Sequence, residues 1–301
     1  MARRRLLAYA GLYFFWGTTY LAIRIAVKDL PPFFLSGLRH SVAGLCFLGY
    51  ARWSGIAWPS RRQALGALTM GVTFLALGNG LCTWALQWVE SGYATLLMAG
   101  VPMVALTYGA WIHGQKVRGR EWALVLLGLA GVIILLSPKT SAAHSSSPLA
   151  LAVLCFGTLS WACTMAEKKR VPQPQNVVMS TALQMLGGGL FLLLVSAPFE
   201  RPWALDFSAV PGSAWAAWVY LLAFGSMVGY GSFSWLMTVD PPELVGTYAY
   251  VNPIVAVLAG HWILGETLSV GILVSGALVL ASVAGLLRLE RDDAKLARRS
   301  Q

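Results

Sequence analysis

The chain has 301 residues, of which 57% are hydrophobic and only 11% charged, with a net charge of +10. Soluble proteins carry roughly 25% charged residues, so this chain has too few to coat a water-facing globule of its size. A soluble enzyme, a disulfide-stapled secreted domain and a disordered chain are excluded, and the composition is that of an all-α integral membrane protein.

A helix needs about 20 mainly apolar residues to cross a hydrocarbon layer about 30 Å thick. In chain order, ten stretches are predicted to do so: 6–26, 33–51, 65–86, 92–112, 122–137, 148–166, 177–197, 213–237, 243–264 and 270–287. The first follows Arg3, Arg4 and Arg5, but its apolar run is long and aromatic and lacks a small-residue cleavage site. It therefore reads as a retained helix and not as a secretory signal. With the N-terminus inside, 17 of the 22 basic residues fall on the inner side, among them Arg52, Arg61, Arg62, Lys168, Lys169 and Arg170. Basic loops resist translocation, so the chain is expected in an inner or plasma membrane with both termini cytoplasmic. The positive charge is an orientation signal and does not point to nucleic acid. Cys46, Cys82, Cys155 and Cys163 all lie within spans without ligand-pair spacing. They read as buried thiols, and neither a metal nor a cofactor is expected.

The chain also repeats itself. A shift of 145 places Trp16 on Trp161, Arg24 on Lys169, Arg39 on Gln184 and Gly44 on Gly189. A shift of 151 places Gly78 on Gly229, Trp84 on Trp235, Pro102 on Pro253 and Gly114 on Gly265. The expected organisation is a first five-helix repeat over 1–137, a linker over 138–147, a second repeat over 148–287 and a cytoplasmic tail over 288–301. Five is odd, so the two copies enter the membrane from opposite sides. Such inverted 5+5 repeats allow two halves to rock about a midplane site and expose it to each face in turn.

Three segments, Trp16-Gly17-Thr18-Thr19-Tyr20, Val101-Pro102 running to Gly114, and Asn252-Pro253 running to Gly265-Glu266-Thr267-Leu268, resemble the EamA-type drug/metabolite transporters. The resemblance covers residues 6–287. It implies a 5+5 bundle, a central cavity lined mainly by spans 1, 3, 4, 6, 8 and 9, and export of amino acids, metabolites or drugs. Gln115 stands where that family often has an acidic residue, and His261 where an apolar one is expected.

Within the spans, residues four apart share a helix face. Trp16, Tyr20 and Arg24 form one stripe, answered by Trp161, Met165 and Lys169 in the second half. A tryptophan near mid-membrane gains nothing from the headgroups and needs a partner for its N–H, so Trp16 and Trp161 read either as cavity lining or as packed core. The remaining tryptophans lie nearer span ends, as an interfacial belt requires. Arg24 and Lys169 read either as cations at the two mouths of a pathway or as snorkels to phosphate. Arg39, deeper in span 2, must point inward to an acceptor, either structural or substrate. Pro102 and Pro253 leave carbonyls freed at mid-depth. Tyr248 and Asn252 share a face that offers hydrogen bonds; Asn79 and Thr83 form a polar stripe on span 3, answered by Tyr230 and Ser234 on span 8.

No Asp or Glu lies well inside a span, which argues against carboxylate-driven exchange. Facilitated transport, or weak coupling through His261 or His40, is expected. The expected function is a secondary or facilitative transporter exporting small organic metabolites such as amino acids. The alternatives are an exporter of amphipathic drugs and a membrane enzyme on a lipid-linked substrate, for which no acid–base cluster is present. Ala277, Ala281 and Gly285 form a small-residue stripe on span 10 that fits an intramolecular contact or a homodimer face.

Overall fold

A computed structural model describes residues 2–114, 116–135, 147–168, 170–240, 245 and 247–299. These residues are helical, without strands, and form α1 (Ala2–Ala26), α2 (Pro32–Trp53), α3 (Arg61–Ala85), α4 (Ser91–His113), α5 (Gly119–Leu135), α6 (Pro148–Glu167), α7 (Val177–Glu200), α8 (Gly212–Val239), α9 (Tyr248–Leu264) and α10 (Val270–Arg299). Six of them, α1, α3, α4, α6, α7 and α8, are long and apolar enough to cross a membrane. Leu194 is 72% and Phe199 80% exposed, an outward apolar surface that suits lipid as the surrounding solvent.

Local chemistry sets the helix ends. Ser60 and Gln63 form a reciprocal capping box at the start of α3, and Asn176 accepts from the N–H groups of Val178 and Met179 at the start of α7. Such caps satisfy amide donors that the first turn leaves free. α4 and α9 end at matched glycines, Gly114 and Gly265, with φ of 62° and 68°. This left-handed geometry favours glycine.

Two irregularities interrupt the helices, and the first was not expected from the sequence. α3 and α8 each contain a π-helical stretch, Val72–Gly80 and Leu221–Tyr230, at corresponding places in the two halves. α4 breaks at Ala99 and Gly100, just before Pro102, and restarts at Val101. Proline cannot donate to the carbonyl four residues back, so the freed carbonyl of Met98 coincides with the break. In α9 the matched Pro253 is held inside a continuous helix.

Equivalent helices of the two halves pack on each other antiparallel. On α2, Gly37 faces Leu193 of α7, Ser41 faces Gly189, and Gly44 faces Leu186, so numbers rise on one helix as they fall on the other. Glu200 at the end of α7 accepts from the N–H groups of Phe33 and Phe34 at the start of α2, at 2.8 Å each. α5 and α10 repeat the arrangement through Gly128 and Ser282, Gly131 and Val279, and Leu124 and Gly285. The other contacts exchange between halves: α1 packs on α8 and α9, and α6 on α3 and α4. Gly285 thus faces α5 within the chain, whereas Ala277 and Ala281 are exposed.

Buried side chains fall into clusters at opposite ends of the bundle. One gathers Ile23, Val27, Leu86, Ala150 and Ala217; another gathers Leu12, Met70, Ala162, Met185 and Leu236. The cavity described next is lined from between these two ends of α1, α3, α6 and α8.

Candidate functional site

Trp16, Tyr20, Asn79, Trp161, Tyr230, Tyr248, Asn252, Pro253 and Arg39, all expected from the sequence, line one central cavity of about 70 Å³. A water needs roughly 10–15 Å³, so this volume holds several waters. α2 joins the expected lining helices, contributing Arg39 and His40. Thr19, Thr95 and Ser226, which the sequence reading did not single out, complete the polar lining. Each is a hydroxyl residue in an apolar helix, a signal too common to mark a site.

The two tryptophans hold matched positions. A side chain at Gly229 would meet the Trp16 indole nitrogen at 2.4 Å, and one at Gly78 would meet the Trp161 ring at 3.0 Å. The glycines of the two π stretches thus admit the indoles at close range. Trp16 donates to the Gly225 carbonyl at 3.1 Å. The rings of Trp161 and Tyr248 stand edge-on to Trp16, with centroids 6.0 and 5.2 Å away. Cavity lining and packing, posed as alternatives above, coexist here: both tryptophans pack and both line the space.

The polar side chains make two bonds related by the repeat. Arg39 of α2 donates through Nη2 to Asn79 Oδ1 of α3. At the corresponding positions, Tyr230 of α8 donates to Gln184 Oε1 of α7 at 2.5 Å. His40 Nε2 lies 3.3 Å from the same Asn79 oxygen. Arg39 is 2% exposed, and its Nε has no hydrogen-bond partner; neither has Oδ1 of Asn252, which is 5% exposed. Gln184 also lines a second pocket of about 380 Å³ with Lys168, Gln173, Ser180 and Ser234. The Tyr230–Gln184 bond therefore joins a wall of the central cavity to a wall of this outer pocket.

Four expected residues lie elsewhere. Arg24 neither marks a mouth nor snorkels: its Nε is 3.3 Å from Glu266 Oε1, and Nη1 donates to the carbonyls of Leu86 and Val89. Glu266 in turn accepts from Ser91 N, Ser91 Oγ and Gly92 N at 2.8–3.2 Å. This acid at a helix end is 8% exposed and ties α1, α4 and the α9–α10 corner together. His261 is exposed, with Nδ1 3.0 Å from the Glu266 carbonyl, and does not line the cavity. Met165 sits behind the lining, its sulfur 3.8 Å from the Tyr248 hydroxyl. Pro102 does not line the cavity, whereas its neighbour Val101, the first residue after the break in α4, does. Trp218, assigned above to the belt, donates instead to the Leu35 carbonyl at 3.2 Å. Lys169 and Gln115 lie outside the described residues.

An apolar-surfaced helical bundle with a polar and aromatic chamber between its halves defines a membrane protein able to enclose a small solute. The chain belongs to the EamA-like transporter family, whose profile matches residues 5–137 and again 148–288. It is 36% identical over 276 residues to the Uncharacterized inner membrane transporter YedA of Escherichia coli (strain K12), covering 91% of this chain and 87% of the relative. It is 25% identical to Protein PagO of Salmonella typhimurium, covering 84% and 83% of the two chains. A solved crystal structure superposes with a TM-score of 0.66 at 20% identity, covering 96% of this chain and 99% of the other, which shows the shared fold. The protein is a membrane transporter.

Proposed function

We propose that the chain carries small organic metabolites, amino acids among them, out across an inner or plasma membrane by alternating access at the central cavity. In this reading all ten helices span, the halves are inverted five-helix repeats, and both termini are cytoplasmic. The antiparallel pairing of equivalent helices, α2 with α7 and α5 with α10, carries the proposal. Two oppositely directed halves around a shared chamber can tilt against each other and exchange its opening between faces. Trp16 and Asn252 contact the solute. Among the described residues the cavity lining holds no Asp or Glu, which favours facilitated movement. His40 lines the cavity and His261 does not, so any proton coupling would fall to His40.

A metabolite panel in proteoliposomes tests the reading. Wild type should move at least one solute, and Trp16→Ala and Asn252→Ala should each slow it about tenfold or more. Folded protein that moves no member of the panel would overturn it. Accumulation that requires a pH gradient and is lost in His40→Gln would replace facilitated movement with coupling.

A further inference from the structure

Arg39 is held by neutral groups alone. Its guanidinium meets the Asn79 amide oxygen, its Nε is unpaired, and among the described residues no carboxylate pairs with it. Two buried or partly buried acids among the described residues are engaged elsewhere, Glu266 with Arg24 and Glu200 with the start of α2. A buried guanidinium without a counter-ion is costly, and it cannot shed its proton to escape. What relieves it is an anion, and its planar fork matches a carboxylate. A second residue, Asn252 of the opposite half, lines the same cavity, and its Oδ1 is an acceptor buried without a donor. Leaving such an atom unmet also costs free energy. The rings of Trp16, Trp161 and Tyr248 line the same cavity, and they suit an apolar substituent.

On the transport reading above, we infer that the substrate is a small carboxylate with an N–H or O–H donor on a neighbouring carbon and an apolar side group. Its carboxylate pairs with Arg39 and its donor with Asn252 Oδ1. Amino acids and 2-hydroxy acids share this chemistry. Neutral amides and lipophilic cations lack it.

Counterflow in proteoliposomes, with quenching of tryptophan fluorescence as a binding readout, tests the assignment. The probes are leucine, 2-hydroxy-4-methylpentanoate, the amides of both, 4-methylpentanoate and tetraphenylphosphonium. One or both donor-bearing acids should move at least about tenfold faster than their amides, as expected when a buried charge pair is lost. Arg39→Gln should bring that ratio to within about twofold, and Arg39→Lys, whose ammonium lacks the planar fork and can shed its proton when buried, should keep only part of the preference for acids. Asn252→Leu should erase the advantage of the donor-bearing acid over 4-methylpentanoate. A merely structural role would lower all rates together and leave these ratios standing. If Arg39→Gln is not recovered folded, the wild-type ratio of acid to amide decides alone. Amides or the phosphonium moving as fast as the acids, or a ratio unchanged in folded Arg39→Gln, would overturn the assignment and leave the transporter reading intact. So would movement of other metabolites with none of the acids. No flux and no quenching by any solute would overturn both.

Discussion

Two arginines sit within the apolar helices of the first half and end in opposite circumstances. Arg24 meets a buried carboxylate and two carbonyls at the corner between α1, α4 and the α9–α10 turn. Arg39 meets one amide oxygen in the cavity. The first is neutralised where nothing needs to enter; the second is left charged where something can. The repeat supplies a control. Gln184, matched to Arg39, makes the equivalent bond to Tyr230 without any charge. The halves thus share a hydrogen-bonding frame and differ in where charge is placed on it.

The comparison predicts unequal costs when each partner is removed. Glu266→Ala leaves Arg24 without its acid and frees Ser91 N and Gly92 N, so it should destabilise the detergent-solubilised protein most. Breaking a buried ion pair costs about 3–5 kcal/mol, and the partial exposure of Arg24 places this loss near the lower end. Glu266→Gln, which keeps an acceptor, should recover part of it. The measurement is the unfolding free energy, and a double-mutant cycle with Arg24→Met should show strong coupling. Additivity would mean that the corner is held by packing instead.

Next in size is the neutral member. Gln184→Met strands the Tyr230 hydroxyl, and an unsatisfied buried donor costs about 1–3 kcal/mol. Arg39→Met should have the opposite sign. It removes a charge that has no counter-ion, while Asn79 Oδ1 keeps His40 as a neighbour. A rise of about 1 kcal/mol is expected, accompanied by loss of carboxylate flux. If Arg39→Met destabilises as much as Gln184→Met, the two bonds are equivalent struts and the contrast fails.

How much of this was legible beforehand follows from the range of the interactions. Helix faces are local, so the spacing of Trp16 and Tyr20, and of Tyr248 and Asn252, was enough to bring each pair to one side. The need for Arg39 to point inward followed from solvation alone. That its acceptor is Asn79, forty residues away on another helix, did not. Arg24 was misread because its acid lies at Glu266, at a helix end that looked exposed in one dimension. The π stretches have no distinct composition, and they set which residues of α3 and α8 face the cavity. Pro102 announced a disturbance of α4, but not which of the residues around it would line the cavity, and there Val101 takes its place.

The smallest effect separates an arginine from a lysine in a similar predicament. Lys168, just beyond α6, lines the outer pocket with its ammonium 5.1 Å from the centroid of the Phe233 ring. Burial lowers it from the ordinary 10.5 to about 8. A cation with a lowered value opposes folding while protonated, and it relieves that cost by losing its proton. Between pH 8 and 10.5 the unfolded chain binds more protons than the folded one, so stability should rise with pH across that window. Lys168→Met should raise stability at pH 7, by about 1 kcal/mol or less given the residue's partial access to water and its contact with the ring. It should also flatten the rise above pH 8. Arg39 has no such escape, because a guanidinium stays protonated throughout this range. Unfolding free energies of wild type, Lys168→Met and Arg39→Met at pH 7 and pH 9.5 test the distinction. The advantage of Lys168→Met should shrink at the higher pH, while that of Arg39→Met should not. If both shrink together, Arg39 relieves its charge by losing a proton and the cavity has no standing need for an anion.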